Sequence, residues 1–184
     1  MAQTVRVVSP EETGRLQEIG ELTALAYLAD GLVDAAHPYV PQLRDAGLRA
    51  HHAQLLAMMD GEHGDGKIVG TITLVPPGSE FAEVAHGDEF ELRMLAVSPI
   101  ERGRGIGASL TTAALDLAVQ QGATRVVLST METMHVAHRL YERIGFVRRP
   151  DLDWIVGARA DDAAGAGAQR PGVTLLGYSW EPRH

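Results

Sequence analysis

Hydrophobic and polar positions along the chain alternate in two periods, and each period predicts its own kind of element. Residues 5–8 read as a short strand. Ser9-Pro10-Glu11-Glu12 then predicts a helix start, with Ser as N-cap, Pro at the first helical position and Glu at the third. Leu16, Ile19, Leu22, Leu25, Ala26 and Leu28 fall on one stripe of that helix, and Gly31 closes it. A second, weaker helix is expected over residues 41–52. Residues 54–59 and 67–75 predict a hairpin, because residues 60–66 between them are Asp, Gly, Glu, His, Gly, Asp and Gly. Pro76-Pro77-Gly78-Ser79 breaks the second strand. Residues 89–97 predict a further strand. A strict period of two puts Glu89, Glu91, Arg93, Leu95 and Val97 on one face and Phe90, Leu92, Met94 and Ala96 on the other.

Beyond Ser98-Pro99, a glycine-rich turn opens a helix running to about residue 121, with Gly122 as its stop. Residues 125–130 predict a β-branched strand and residues 134–144 a helix closed by Gly145. Phe146-Val147 begins another strand, and residues 173–180 form the last. The segment at about 157–172 is rich in Ala and Gly and has little apolar surface to bury, so a flexible loop is expected there. Consecutive antiparallel strands beside two strand–helix–strand units imply a mixed α/β sheet with helices on its faces. At 184 residues, a single domain over 1–184 is expected.

Composition narrows the chemistry. The chain has no cysteine, which excludes disulfides, thiolate-bound metals and an acyl-cysteine route. Its 24 acidic and 16 basic residues give a net charge of −8, the wrong sign for a nucleic-acid partner. No apolar run approaches the ~18 residues that span a bilayer, and Met1-Ala2-Gln3-Thr4-Val5-Arg6 is no secretory leader. A cytoplasmic protein without membrane or nucleic-acid partners is the expectation, as a monomer or homodimer. His135 and His138 lie one turn apart, but no third ligand is in view and no metal is expected.

The segment carrying chemistry is Arg102-Gly103-Arg104-Gly105-Ile106-Gly107-Ala108. A strand feeding a glycine turn and then a helix makes an anion seat: glycines let the backbone approach a phosphate, and the helix N-terminus offers unpaired N–H groups. Three glycines within residues 103–107, flanked by Arg102 and Arg104, favour that use over a plain turn. Gly103-x-Gly105-x-x-Ala108 also fits a dinucleotide fingerprint, but several strands precede it and Glu132 lies too far on for the ribose. No Gly-Lys-Ser/Thr follows, so a Walker-type loop is excluded.

Arg102-x-x-Gly105-x-Gly107 resembles the acyl-CoA-binding motif of the GNAT N-acyltransferase superfamily. Met94-Leu95-Ala96-Val97-Ser98-Pro99 looks like that family's pantetheine-binding strand, and residues 137–146 like its second helix-to-strand motif. The resemblance spans about residues 5–180. It implies a GNAT-like fold, a mostly antiparallel mixed sheet flanked by helices. It also implies acetyl transfer from acetyl-CoA to a primary amine of a small molecule or peptide, by direct attack. Leu95, Ala96 and Val97 would pair with the pantetheine arm, and Arg102, Gly103, Arg104, Gly105, Ile106, Gly107 and Ala108 would hold the pyrophosphate. Tyr141 takes the general-acid position. Glu91, four residues before Leu95, is the candidate base, with Glu89 as runner-up. Met134 stands where family members often carry Asn, so backbone contacts must replace that side chain. A catalytically silent acyl-CoA sensor is the alternative. The −8 charge would suit a cationic acceptor.

Overall fold

The computed structural model describes residues 3–61, 66–156 and 172–182; the Ala/Gly-rich segment at 157–171 lies outside them. Its elements are β1 (Gln3–Val8), α1 (Thr13–Ala29), α2 (Val40–Arg44), α3 (Ala46–His52), β2 (Gln54–Asp60), β3 (Ile68–Val75), β4 (Phe90–Val97), α4 (Ile106–Gln120), β5 (Val126–Met131), α5 (His135–Ile144), β6 (Val147–Arg148), β7 (Trp154–Val156) and β8 (Val173–Trp180). Among the described residues, one eight-stranded sheet runs β1-β2-β3-β4-β5-β8-β6, with β7 also on β8. β1 to β4 form an antiparallel meander, and β4 to β5 is the parallel pair that α4 bridges. β8 enters between β5 and β6, antiparallel to both. Only the first of the two strand–helix–strand units therefore joins neighbouring strands.

Alternation along β2 explains the layering. Leu56 and Met58 pack with Leu110, Ala114 and Ala118 of α4. Leu55, Ala57 and Met59 pack with Leu16, Ile19 and Leu22 of α1. A strand covered on both faces must be apolar at nearly every position, which is the pattern of Leu55 to Met59. α2 lies close to α1 because Gly20 has no side chain: a Cβ there would sit 2.0 Å from the Arg44 carbonyl oxygen.

Two helix boundaries differ from the sequence expectation. α1 begins at Thr13 rather than next to Ser9. Ser9 to Glu12 instead closes a turn, with Glu12 N–H donating to Ser9 O at 3.0 Å. The Glu12 carboxylate accepts the Ser9 N–H at 2.9 Å and pairs with Arg6 at 2.6 Å. The predicted helix over 41–52 is broken at Asp45, whose backbone leaves the helical region (ψ 67°) while Oδ1 accepts the Leu48 N–H at 2.8 Å. Asp45 thus caps α3, the commoner use of that residue type.

The Arg6 hydrogen bond, and then the Ser9 amide, hold the Glu12 carboxyl down at about 2. A depressed folded pKa adds stability that is complete above the unfolded value near 4.5 and disappears as pH falls toward 2. Denaturant titrations of wild type and Glu12→Gln should therefore differ at pH 6 and converge on acidification through that window; equal curves at pH 6 would refute the linkage.

β4 carries the largest departure. Thr73 pairs with Arg93, and the next register point is Thr71 with Ala96, so β4 holds one extra residue. The extra residue sits at Met94, whose φ of 53° is left-handed. A bulge inverts the alternation beyond it. Leu95 and Val97 join Leu92 on the α4 face, whereas Met94 and Ala96 pack toward α1 and α2. The expectation that Glu91 and Leu95 share a face is therefore corrected: they lie on opposite faces.

Candidate active site

β4 and β5 pair only over Phe90–Leu92 and Val126–Leu128. Beyond Leu92 the two strands diverge, and β4 from Arg93 to Val97 has no partner on its β5 side among the described residues. The Met94 bulge turns the strand at this fork. The wedge opens into a cavity of about 860 Å³. Its walls are the last turn of α1, residues 95–97 of β4, the glycine turn with the start of α4, and α5.

The glycine turn is shaped by conformation rather than crowding. Gly103 and Gly105 have φ of 79° and 77°, and a Cβ on either would meet nothing within 4 Å. Gly105 is the N-cap of α4. The first helical bond runs from Ser109 N–H to Gly105 O at 3.0 Å, so the amides of Ile106, Gly107 and Ala108 precede the hydrogen-bonded ladder. All three residues line the cavity, at the positive end of the helix.

The two arginines of the turn are not free charges. Arg102 lines the cavity and pairs with Asp30 at 2.7 Å. Arg104 pairs with Glu101 and does not line the cavity. The expected positive patch is thus offset by carboxylates. Two other arginines, Arg139 and Arg143, line the cavity from α5 with no ion pair among the described residues. Sequence reasoning missed them, although their four-residue spacing after His135 marks one helix face.

Tyr141 reaches the cavity from α5, with its ring against Phe146 at 5.6 Å and Tyr178 at 6.5 Å. Its hydroxyl has no hydrogen-bond partner among the described residues. Burial raises its pKa well above the phenol range, so it stays protonated. Tyr27 of α1 also lines the cavity and was not singled out by the sequence. Met134 precedes α5 and lies on the cavity wall, its Sδ 3.6 Å from Thr130 Oγ1.

Glu91 is elsewhere. Its Oε2 accepts the backbone N–H groups of Glu83, Val84 and Ala85 at 2.8, 2.9 and 3.0 Å, and Oε1 lies 3.8 Å from Arg93 Nε. It is fully buried and does not line the cavity. The expected base is therefore corrected to an anchor for the loop before β4, the period-two pattern having aimed it at the wrong face. Glu89 is engaged too, with the His86 N–H at 3.0 Å and Arg125 at 3.2 Å. His138 Nε2 contacts Met131 O at 3.0 Å, and no metal-binding cluster occurs among the described residues.

A fork between β4 and β5 beside a glycine-led helix is a specific arrangement, and the comparisons agree with it. The model of the acetyltransferase (GNAT) family matches residues 18–146, well over half of the chain. The chain belongs to the GNAT family. It is 34% identical over 124 residues to the mycothiol acetyltransferase of Cellulomonas flavigena, covering 62% of this chain and 34% of that protein. It is 42% identical over 57 residues to N-alpha-acetyltransferase 30 of Schizosaccharomyces pombe, covering 31% and 38%. The chain thus spans little more than a third of the length of these curated relatives. Among solved structures, this GNAT fold is shared with the PaiA N-acetyltransferase of Thermoplasma acidophilum in complex with coenzyme A, at TM-score 0.67 and 14% identity over 99% of this chain and 100% of that one. It is shared also with the ribosomal-protein-S18-alanine N-acetyltransferase of Escherichia coli, at TM-score 0.65 and 16% identity over 98% and 94%. The dinucleotide-fingerprint reading of Gly103-x-Gly105-x-x-Ala108 falls with this membership. Among the described residues, no helix of this GNAT chain is long and apolar enough to cross a membrane.

Proposed function

We propose that the chain transfers an acetyl group from acetyl-CoA to a primary amine by direct attack on the thioester. The observation carrying this reading is the coincidence, in one cavity, of an unpaired strand edge and an unpaired helix N-terminus. The first suits the amides of a pantetheine arm, which would add to β4 along Leu95, Ala96 and Val97 as an extra strand. The second suits a pyrophosphate over Ile106, Gly107 and Ala108, with Gly103 and Gly105 giving the turn its shape. Arg102 exchanges Asp30 for a phosphate oxygen in this reading, whereas Arg104 stays outside the cavity, paired with Glu101.

Acetyl-CoA supplies the acyl group and a thiol leaving group. The amine must arrive without its extra proton, because an ammonium has no lone pair. As nitrogen bonds to the acetyl carbon, negative charge builds on the carbonyl oxygen, and a main-chain N–H of the β4 fork near Leu95 receives it in this reading. The carbon–sulfur bond then breaks with its electron pair on sulfur. Tyr141 gives its hydroxyl proton to that sulfur, and the proton lost by nitrogen restores the phenol by way of solvent. No cysteine takes part, in keeping with the composition.

Tyr141→Phe should lower kcat about 100-fold while leaving the Kd for acetyl-CoA within about twofold, because the ring and its packing persist. Stopped-flow thiol release and calorimetry read the two quantities; an unchanged kcat would remove Tyr141 from the acid role. Thiol release over a panel of amines tests the reading as a whole. Acetyl-CoA binding without release on any amine would instead favour the silent sensor.

A further inference from the structure

The α1 side of β4 holds a charge that the transfer chemistry leaves unused. Arg49 of α3 is 1% exposed. Its Nη1 donates to Gln42 O at 2.8 Å and Leu43 O at 2.7 Å, the carbonyls that end α2. Nε is buried without a hydrogen-bond partner, and Nη2 makes no hydrogen bond to the described residues. No carboxylate among the described residues forms an ion pair with it; Asp45, whose charge it feels, is committed to the Leu48 amide. Burial lowers its pKa only to about 10, so it is charged at neutral pH. A buried guanidinium without a counter-ion is costly to keep.

Arg93 shows how the same fold treats an arginine it has satisfied. Its guanidinium lies 4.7 Å over the Phe81 ring, donates to Phe81 O, pairs with Glu83 and approaches Glu91. Arg49 has no such carboxylates. What it has is an unpaired Nε–Nη2 edge, with Nε buried, the fork that receives a carboxylate through two parallel hydrogen bonds.

The surroundings suit a small organic acceptor. Leu43, whose carbonyl Arg49 holds, packs with Ala24 and Met94, and Tyr27, Tyr39 and Phe81 pack around them half-buried. The Tyr27 and Tyr39 rings stand 6.4 Å apart. Tyr27 is shared with the cavity wall, and Met94 is the bulge residue next to Leu95. Tyr27 thus belongs both to the cavity wall and to the aromatic cluster packed on Leu43, whose carbonyl Arg49 holds. Burial keeps both tyrosines neutral, so neither supplies a counter-charge.

We propose that this region takes the acceptor, and that the acceptor amine carries a carboxylate received by the Nε–Nη2 edge of Arg49. The proposal rests on the acyl-transfer reading and deepens it. It opposes the cationic acceptor that the net charge suggested: −8 spread over a surface is screened by salt, whereas an unpaired buried cation acts at contact.

The test is a paired acceptor panel on the wild-type protein: free amino acids, their primary amides, and linear diamines, with thiol release from acetyl-CoA as readout. Calorimetry with acetyl-CoA alone runs beside it. The carboxylates should exceed their amides by about tenfold or more in kcat/KM. Equal or better turnover of amides or diamines overturns the acceptor class and leaves acyl transfer standing. Acetyl-CoA binding with no release on any member overturns both. Arg49→Lys keeps a charge but loses the fork, and should reduce the carboxylate-to-amide ratio about tenfold. A purely structural Arg49 would lower Tm in that variant and leave the ratio where it was.

Discussion

Gly105→Glu should abolish acetyl-CoA binding while the protein still folds. Space is not the obstacle inside the fold, since a side chain at 105 would project into open volume. Gly105 lines the cavity beside the Ile106, Gly107 and Ala108 amides, so a carboxylate introduced there should repel an anion from the phosphate seat. The left-handed φ of 77° adds a backbone cost of about 1–2 kcal/mol for any L residue. Calorimetry should find the Kd for acetyl-CoA raised at least 100-fold, roughly 2.7 kcal/mol or more. Gly105→Ala separates the two effects: it carries the backbone cost without the charge, and should bind with a much smaller loss. Retained binding in Gly105→Glu would show that the pyrophosphate lies elsewhere.

Glu91→Ala should be the most destabilising single change on β4, and should not act through chemistry. Removing the carboxylate strips three adjacent amides of their acceptor and leaves Arg93 with one acidic partner fewer. Breaking a buried charged network of this kind costs about 3–5 kcal/mol, which for a chain of this size lowers Tm by on the order of 10 °C. Below its melting range the variant should bind acetyl-CoA with wild-type affinity. Unchanged Tm with lost turnover would return Glu91 to the role of base.

The contrast between those two residues shows what the sequence disclosed. The glycine turn was legible because its chemistry is local: glycines, a strand before and a helix after place the amides without reference to the rest of the chain. Tyr141 was legible only through resemblance, since nothing near it in sequence says that its ring would reach a cavity. Glu91 was misplaced because a period of two assumes an unbroken strand, and no residue type announces a bulge at Met94. A methionine with φ of 53° is held there by its neighbours, not by its own preference. β7 went unread for the same reason. Trp154, Ile155 and Val156 are too short a run to signal a strand, and become one only because β8 passes beside them. Arg49 lay in a weakly patterned helix, and its isolation from carboxylates is a property of the packed state alone.

The fork in β4 also decides how the protein responds to mutation. Where recognition is carried by main-chain amides, replacing Leu95, Ala96 or Val97 one at a time leaves every donor and acceptor in place. An alanine scan across the strand would register packing losses at Leu95 and Val97 and miss the contact itself. The residue that sets the course of the strand there is Met94, the extra residue of the bulge. Deleting that one residue would restore the regular pleat through this stretch of β4. The edge proposed for the pantetheine arm therefore depends on the length of β4 more than on its letters.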